Sequence, residues 1–144
     1  ELVEDYPDMV WETSHTKGHR FAPSVMLMPW GYSFGRMNKE AAAQMIAAAA
    51  RGKYFYPVNR GRGIFGPRGQ VAELAVARAL IDAGEELSYG QLTATDSGEV
   101  SHIDGRRWRV TLEEREVEGV VSSCGDAPKK GQAIVATGVE PVAG

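Results

Sequence analysis

The side chains best suited to chemistry are two histidines, His15 and His19. They stand four residues apart in the run His15-Thr16-Lys17-Gly18-His19-Arg20-Phe21-Ala22, just after the apolar pair Val10-Trp11. Neutral imidazole is a ligand for zinc, copper and iron. A pair of imidazoles on one iron is the arrangement of Rieske-type [2Fe–2S] clusters, where they replace two thiolates. The helical HExxH zinc motif is not the reading here. Thr13, Ser14, Thr16 and Gly18 disfavour helix, and no Glu follows His15. A catalytic zinc needs three protein ligands and a structural one four. The further donors, His102, Cys124 and the carboxylates, lie far along the chain. Spacing alone therefore leaves half a ligand set, beside the plainer alternative of loop imidazoles bonded to backbone carbonyls. Cys124, the single cysteine, reads as a small buried hydrophobe and excludes a disulfide framework.

A second pattern is Gly61-Arg62-Gly63-Ile64-Phe65-Gly66, literally GxGxxG, with Glu85 and Glu86 about twenty residues on. Its context is wrong for a dinucleotide fingerprint. Pro57 interrupts the preceding apolar stretch, and Pro67-Arg68-Gly69 separates the last glycine from the helix that follows. Arg60, Arg62 and Arg68 on this loop could instead contact an anion or a partner, or form a solvated connector.

These residues need elements to hold them. Residues 9–12 read as a short strand entering the histidine loop. Phe21–Met28 reads as a strand, Pro29-Trp30-Gly31 as a turn, and Tyr32–Met37 as the returning strand of a hairpin. Asn38 is placed to cap an alanine-rich helix ending near Gly52, with Glu40 in its first turn. Tyr54–Gly69 reads as irregular loop. Val71, Leu74, Ala75, Ala77, Leu80 and Ile81 predict a helix over 70–82, with Gly84 at its C-terminal end. Beyond residue 91, Thr93–Thr95, Trp108–Leu112, Val117–Ser122 and Ala133–Thr137 predict short strands. Turns are expected at Asp96-Ser97-Gly98, Asp104-Gly105, Gly125-Asp126 and Lys129-Lys130-Gly131. The three tryptophans, Trp11, Trp30 and Trp108, are expected to pack.

The 144-residue chain is about one domain long, with 43% apolar and 24% charged residues, enough for a core. A net charge of −3 gives no global signal for nucleic acid or a membrane surface. No apolar run approaches the roughly 20 residues of a membrane span. The acidic start Glu1-Leu2-Val3-Glu4-Asp5 lacks a basic n-region, so a cytoplasmic location is expected.

The run Val10-Trp11-Glu12-Thr13-Ser14-His15, then Gly18-His19-Arg20-Phe21-Ala22-Pro23, then Tyr32-Ser33-Phe34-Gly35-Arg36, resembles the sucrase/ferredoxin-like family of thioredoxin-like [2Fe–2S] proteins. Gln70-Val71-Ala72-Glu73 and Ser123-Cys124 also fit that family. Lys17 departs from it, standing where the first of two glycines is usual. The resemblance implies an α/β fold: residues 1–57 as the second half of a thioredoxin-like domain, 58–91 as a Gly/Arg loop and helix, and 92–144 as a small antiparallel β appendage. It implies His15 and His19 as ligands of a [2Fe–2S] cluster completed by cysteines upstream of this chain. The expected function is electron transfer rather than enzymatic catalysis. The expected partner is a reductase or oxidoreductase client, with the missing N-terminal segment as a possible separate chain. The alternative is a cluster-free binding or scaffolding module that uses the Arg/Gly loop as its contact surface.

Overall fold

The computed structural model describes residues 2–12, 23–120 and 129–143. A single helical turn, α1 (Leu2–Asp5), opens the chain, and the Met9 and Val10 N–H groups then fold back onto the Tyr6 carbonyl at 3.1 and 3.0 Å. The strand expected over residues 9–12 does not form. Trp11 is 80% exposed, so it has no buried face for an alternating strand to serve and is not a packing residue.

The predicted hairpin is present. β1 (Val25–Leu27) and β2 (Tyr32–Phe34) pair antiparallel, with the Gly31 N–H closing the turn onto the Leu27 carbonyl at 2.8 Å. A third strand, β3 (Asn59–Arg62), pairs antiparallel with β2, giving the order β1-β2-β3. Part of the stretch expected to be irregular is therefore a strand. Asn59-Arg60-Gly61-Arg62 has no apolar alternation, so the partner strand, not local pattern, makes it extended.

Asn38 caps α2 (Lys39–Ala50) as its type suggests, accepting the Ala41 N–H on Oδ1 at 2.7 Å. The helix buries Ala42, Met45 and Ala48. α3 (Pro67–Asp82) buries Gly69, Ala72, Glu73, Val76, Ala77 and Leu80. Val71, Leu74, Ala75 and Ile81, expected on its core face, are only half-buried on the flanks. The helix is thus rotated so that a glutamate lies in the middle of its buried stripe.

The second sheet has four antiparallel strands in chain order: β4 (Leu92–Ala94), β5 (Glu99–His102), β6 (Arg107–Val120) and β7 (Lys129–Pro141). β6 is one long strand where the pattern suggests two short ones, and β5 was not anticipated. Lys129-Lys130-Gly131 belongs to β7 rather than to a turn. The expected turn at Gly125-Asp126 lies outside the described residues.

The fold is mixed α/β, and the described residues form two antiparallel sheets and three helices. α3 lies between the sheets, touching β3 on one side and all four strands of the second sheet on the other. A continuous apolar cluster joins them, running from Tyr32 and Phe34 through Val76 and Leu80 to Leu92, Val100 and Trp108. Among the described residues, no helix is long and apolar enough to cross a membrane.

Candidate functional site

His15, His19 and Cys124 lie outside the described residues. The chain emerges from the histidine segment at Pro23, whose carbonyl accepts the Met37 N–H at 3.1 Å. That bond ties the segment's end to the start of α2, just before β1. The remaining histidine, His102, is held locally: its Nδ1 accepts the Asp104 N–H at 3.0 Å. Among the described residues, no group of three or more His, Cys, Asp or Glu side chains is placed to hold a metal ion.

The described residue set contains a different concentration of chemistry, built around Glu73. α3 presents this carboxylate to β2 and to the segments flanking α2 and α3, where three tyrosines converge. Glu73 and Tyr32 are both fully buried, and the Tyr32 hydroxyl donates to Glu73 Oε1. The Tyr54 ring meets the Tyr32 ring edge-on at 5.3 Å, and Tyr89 lies 5.0 Å from Tyr32 and 5.2 Å from Tyr54. Trp30 stacks on Tyr89 at 5.0 Å and closes the cluster. The Tyr89 hydroxyl accepts the Phe55 N–H at 3.0 Å. Glu73 Oε2 and the Tyr54 hydroxyl have no hydrogen-bond partner among the described residues.

Burial dominates the electrostatics. Desolvation pushes the Glu73 carboxyl up to about 7, although the Tyr32 hydrogen bond and the Arg62 charge pull the other way. Desolvation, reinforced by the nearby Glu73 charge, holds the Tyr32 and Tyr54 phenols well above the usual range, and burial pushes Tyr89 up to about 12. The arrangement can therefore take up or release one proton on Glu73 near neutrality, while its phenols stay protonated. The composition of this site was visible in the sequence only as scattered aromatics. The one local signal was an acid at position 73, among the apolar residues of a helical stripe.

The GxGxxG run has a structural explanation. Gly61 has φ +103°, and a Cβ there would stand 2.7 Å from Gln70 Cβ. At Gly66, the residue before α3, a Cβ would stand 2.3 Å from Asp96 Oδ2. Asp96, from the β4–β5 turn, occupies the space at the helix start and accepts the Gly69 N–H on Oδ1 at 2.9 Å. The helix N-terminus that would receive a pyrophosphate in a dinucleotide site thus receives the chain's own carboxylate. The loop's arginines are engaged within the molecule as well. Arg62 Nε donates to the Trp30 carbonyl at 2.7 Å, with its guanidinium near the Tyr32 and Phe65 rings at 5.9 and 5.8 Å. Arg68 Nε donates to the Asp96 carbonyl at 3.0 Å, and its Nη1 lies 3.7 Å from Glu114. Arg60 has an interaction of its own.

No protein-family model, no curated protein and no solved structure matches this chain.

Proposed function

We propose that this chain forms part of an electron-transfer protein of the thioredoxin-like [2Fe–2S] ferredoxin type. In this reading the β1–β2 hairpin and α2 belong to the second half of the thioredoxin-like domain. The observation that supports it is the sequence run from Trp11-Glu12-Thr13-Ser14-His15 through Gly18-His19-Arg20-Phe21-Ala22, which precedes that hairpin in the chain. The donor set fits the group in part. His15 and His19 are two neutral nitrogen donors, suited to one iron. His102 is occupied by a local hydrogen bond, and one thiol, Cys124, is too few for the other iron. The remaining thiolates come from cysteines outside this chain.

When bound, the cluster supplies a one-electron centre whose potential is raised because two neutral imidazoles replace two anionic thiolates. The chain's own residues supply the rest. His15 and His19 would hold one iron, each through one ring nitrogen. The Pro23–Met37 hydrogen bond fixes where the histidine segment joins the folded body. The partner is a redox protein, either a reductase or an oxidoreductase client, and the cytoplasm is the proposed compartment.

Anaerobic reconstitution of the chain, extended upstream by its cysteine-bearing segment, tests this reading. Iron and acid-labile sulfide in equal amounts, with a visible spectrum lost in His15→Ala or His19→Ala, is the expected result. A colourless, iron-free protein would overturn it and leave the binding-module reading. That second reading gains no support from the Arg/Gly loop, whose arginines are already engaged within the molecule.

A further inference from the structure

The β6–β7 hairpin has two edges of opposite character. β5 pairs with β6 only as far as Arg109, after which the Val110 N–H reaches Gly98 at 2.8 Å. From Thr111 onward, the outer edge of β6 has no strand beside it among the described residues. The outer edge of β7 has none along its whole length among the described residues either. An unpaired edge is a template for another strand, and proteins guard such edges with charges, proline or bulges. β6 is guarded: Glu113, Glu114, Arg115, Glu116 and Glu118 all fall on its unpaired part, exposed. β7 is not. Residues 131–139 contain no charge and no proline. Gly131–Ala136 pairs residue for residue with Val117–Leu112, and the two register irregularities fall outside it, one at Thr137 and one between Val117 and Val120.

We propose that the outer edge of β7 over Gly131–Ala136 pairs antiparallel with the same segment of a second copy of this chain, making a two-fold dimer with one continuous eight-stranded sheet. The occupant follows from the segment itself. A neutral run can lie against its own copy without opposing like charges, whereas the acidic β6 edge cannot. A dyad near Ile134 sets Ala133 against the partner's Val135 and Gln132 against the partner's Ala136, joining β-branched and small side chains across the seam. The pairing is isologous and closes at two copies. It stands apart from the cluster reading and requires no metal.

Sedimentation of the full chain over a dilution series tests the proposal. The expected result is a reversible monomer–dimer equilibrium. The double variant Ala133→Lys/Val135→Lys places like charges opposite each other at two positions of the seam and should self-associate at least tenfold more weakly. Both positions lie on the sheet face shared with Glu113 and Arg115, away from the Leu112 and Ala136 side that packs on the core. Mixing it with Ala133→Glu/Val135→Glu should restore a dimer, a recovery that misfolded variants would not give. A wild-type chain that stays monomeric at every concentration overturns the proposal, whether another segment or another protein covers the edge. So does assembly beyond two copies, a lysine variant that dimerises as tightly as wild type, or a mixture that stays monomeric.

Discussion

Among the carboxylates of the described residues with a shifted pKa, one with no access to water is pushed up towards neutrality. Glu73 is ordinary in the unfolded chain, near 4.5, and is pushed up to about 7 by burial in the folded one. The folded state therefore binds its proton more tightly. The resulting stabilisation is fully present below about pH 4.5 and is lost as pH rises through about 7. The gap corresponds to about 3 kcal/mol. Urea unfolding at pH 5 and pH 8 should show the lower stability at pH 8, and Glu73→Gln should flatten the difference. Asp104 and Glu86 do not interfere in this window. The Arg106 backbone N–H and the Lys53 ammonium, respectively, hold them below the usual carboxylate range, so they act at lower pH. Tyr32→Phe removes the hydrogen bond that Tyr32 donates to Glu73 and should cost about 1–3 kcal/mol. Because that bond favours the ionised form, its loss should also move the pH transition upward. A transition unchanged in position would separate Tyr32 from the titration.

At the scale of elements, α3 shows how a helix can borrow what its own sequence lacks. Gly66 precedes it with no side chain to accept a helix N–H, and Asp96 supplies the acceptor from another element. Asp96→Ala should cost about 1–2 kcal/mol, the usual range for losing a cap. Gly66→Ala should destabilise by displacing the same carboxylate. Its cost should shrink when Asp96 is already alanine, and a thermal double-mutant cycle would read that coupling. Two strictly additive penalties would mean that the cap and the glycine act independently. α2 and α3 were legible in the sequence because their signals are local: the Asn38 cap, the alanine run and the helical spacing from Val71 to Ile81; the single turn α1 was not. β3 and β5 were not, since Asn59-Arg60-Gly61-Arg62 and Glu99-Val100-Ser101-His102 carry little strand pattern. They become strands because β2, β4 and β6 lie beside them. The exact face of α3 was also missed, because an acid was not expected inside.

For the whole molecule, the Glu73 cluster illustrates the limit of reading chemistry from one dimension. Tyr32 and Glu73 are 41 positions apart, and nothing in either neighbourhood announces the other. The histidine pair was legible for the opposite reason, being contained in one short run. Because α3 packs on both sheets and the apolar cluster runs through all three layers, the described body should unfold in one transition. Tryptophan fluorescence, which follows Trp30 and Trp108, and far-ultraviolet circular dichroism should give coincident denaturation curves. Separate midpoints would show that the sheets melt independently. The same Asp96 contact also sets an order of events on the ribosome. α3 is synthesised before the turn that completes its first residues, so its opening turn waits on Asp96. Its lasting partners on one whole side arrive only as residues 92–141 follow. A nascent chain arrested after residue 91 would hold Ala72, Val76 and Leu80 beside a sheet not yet made.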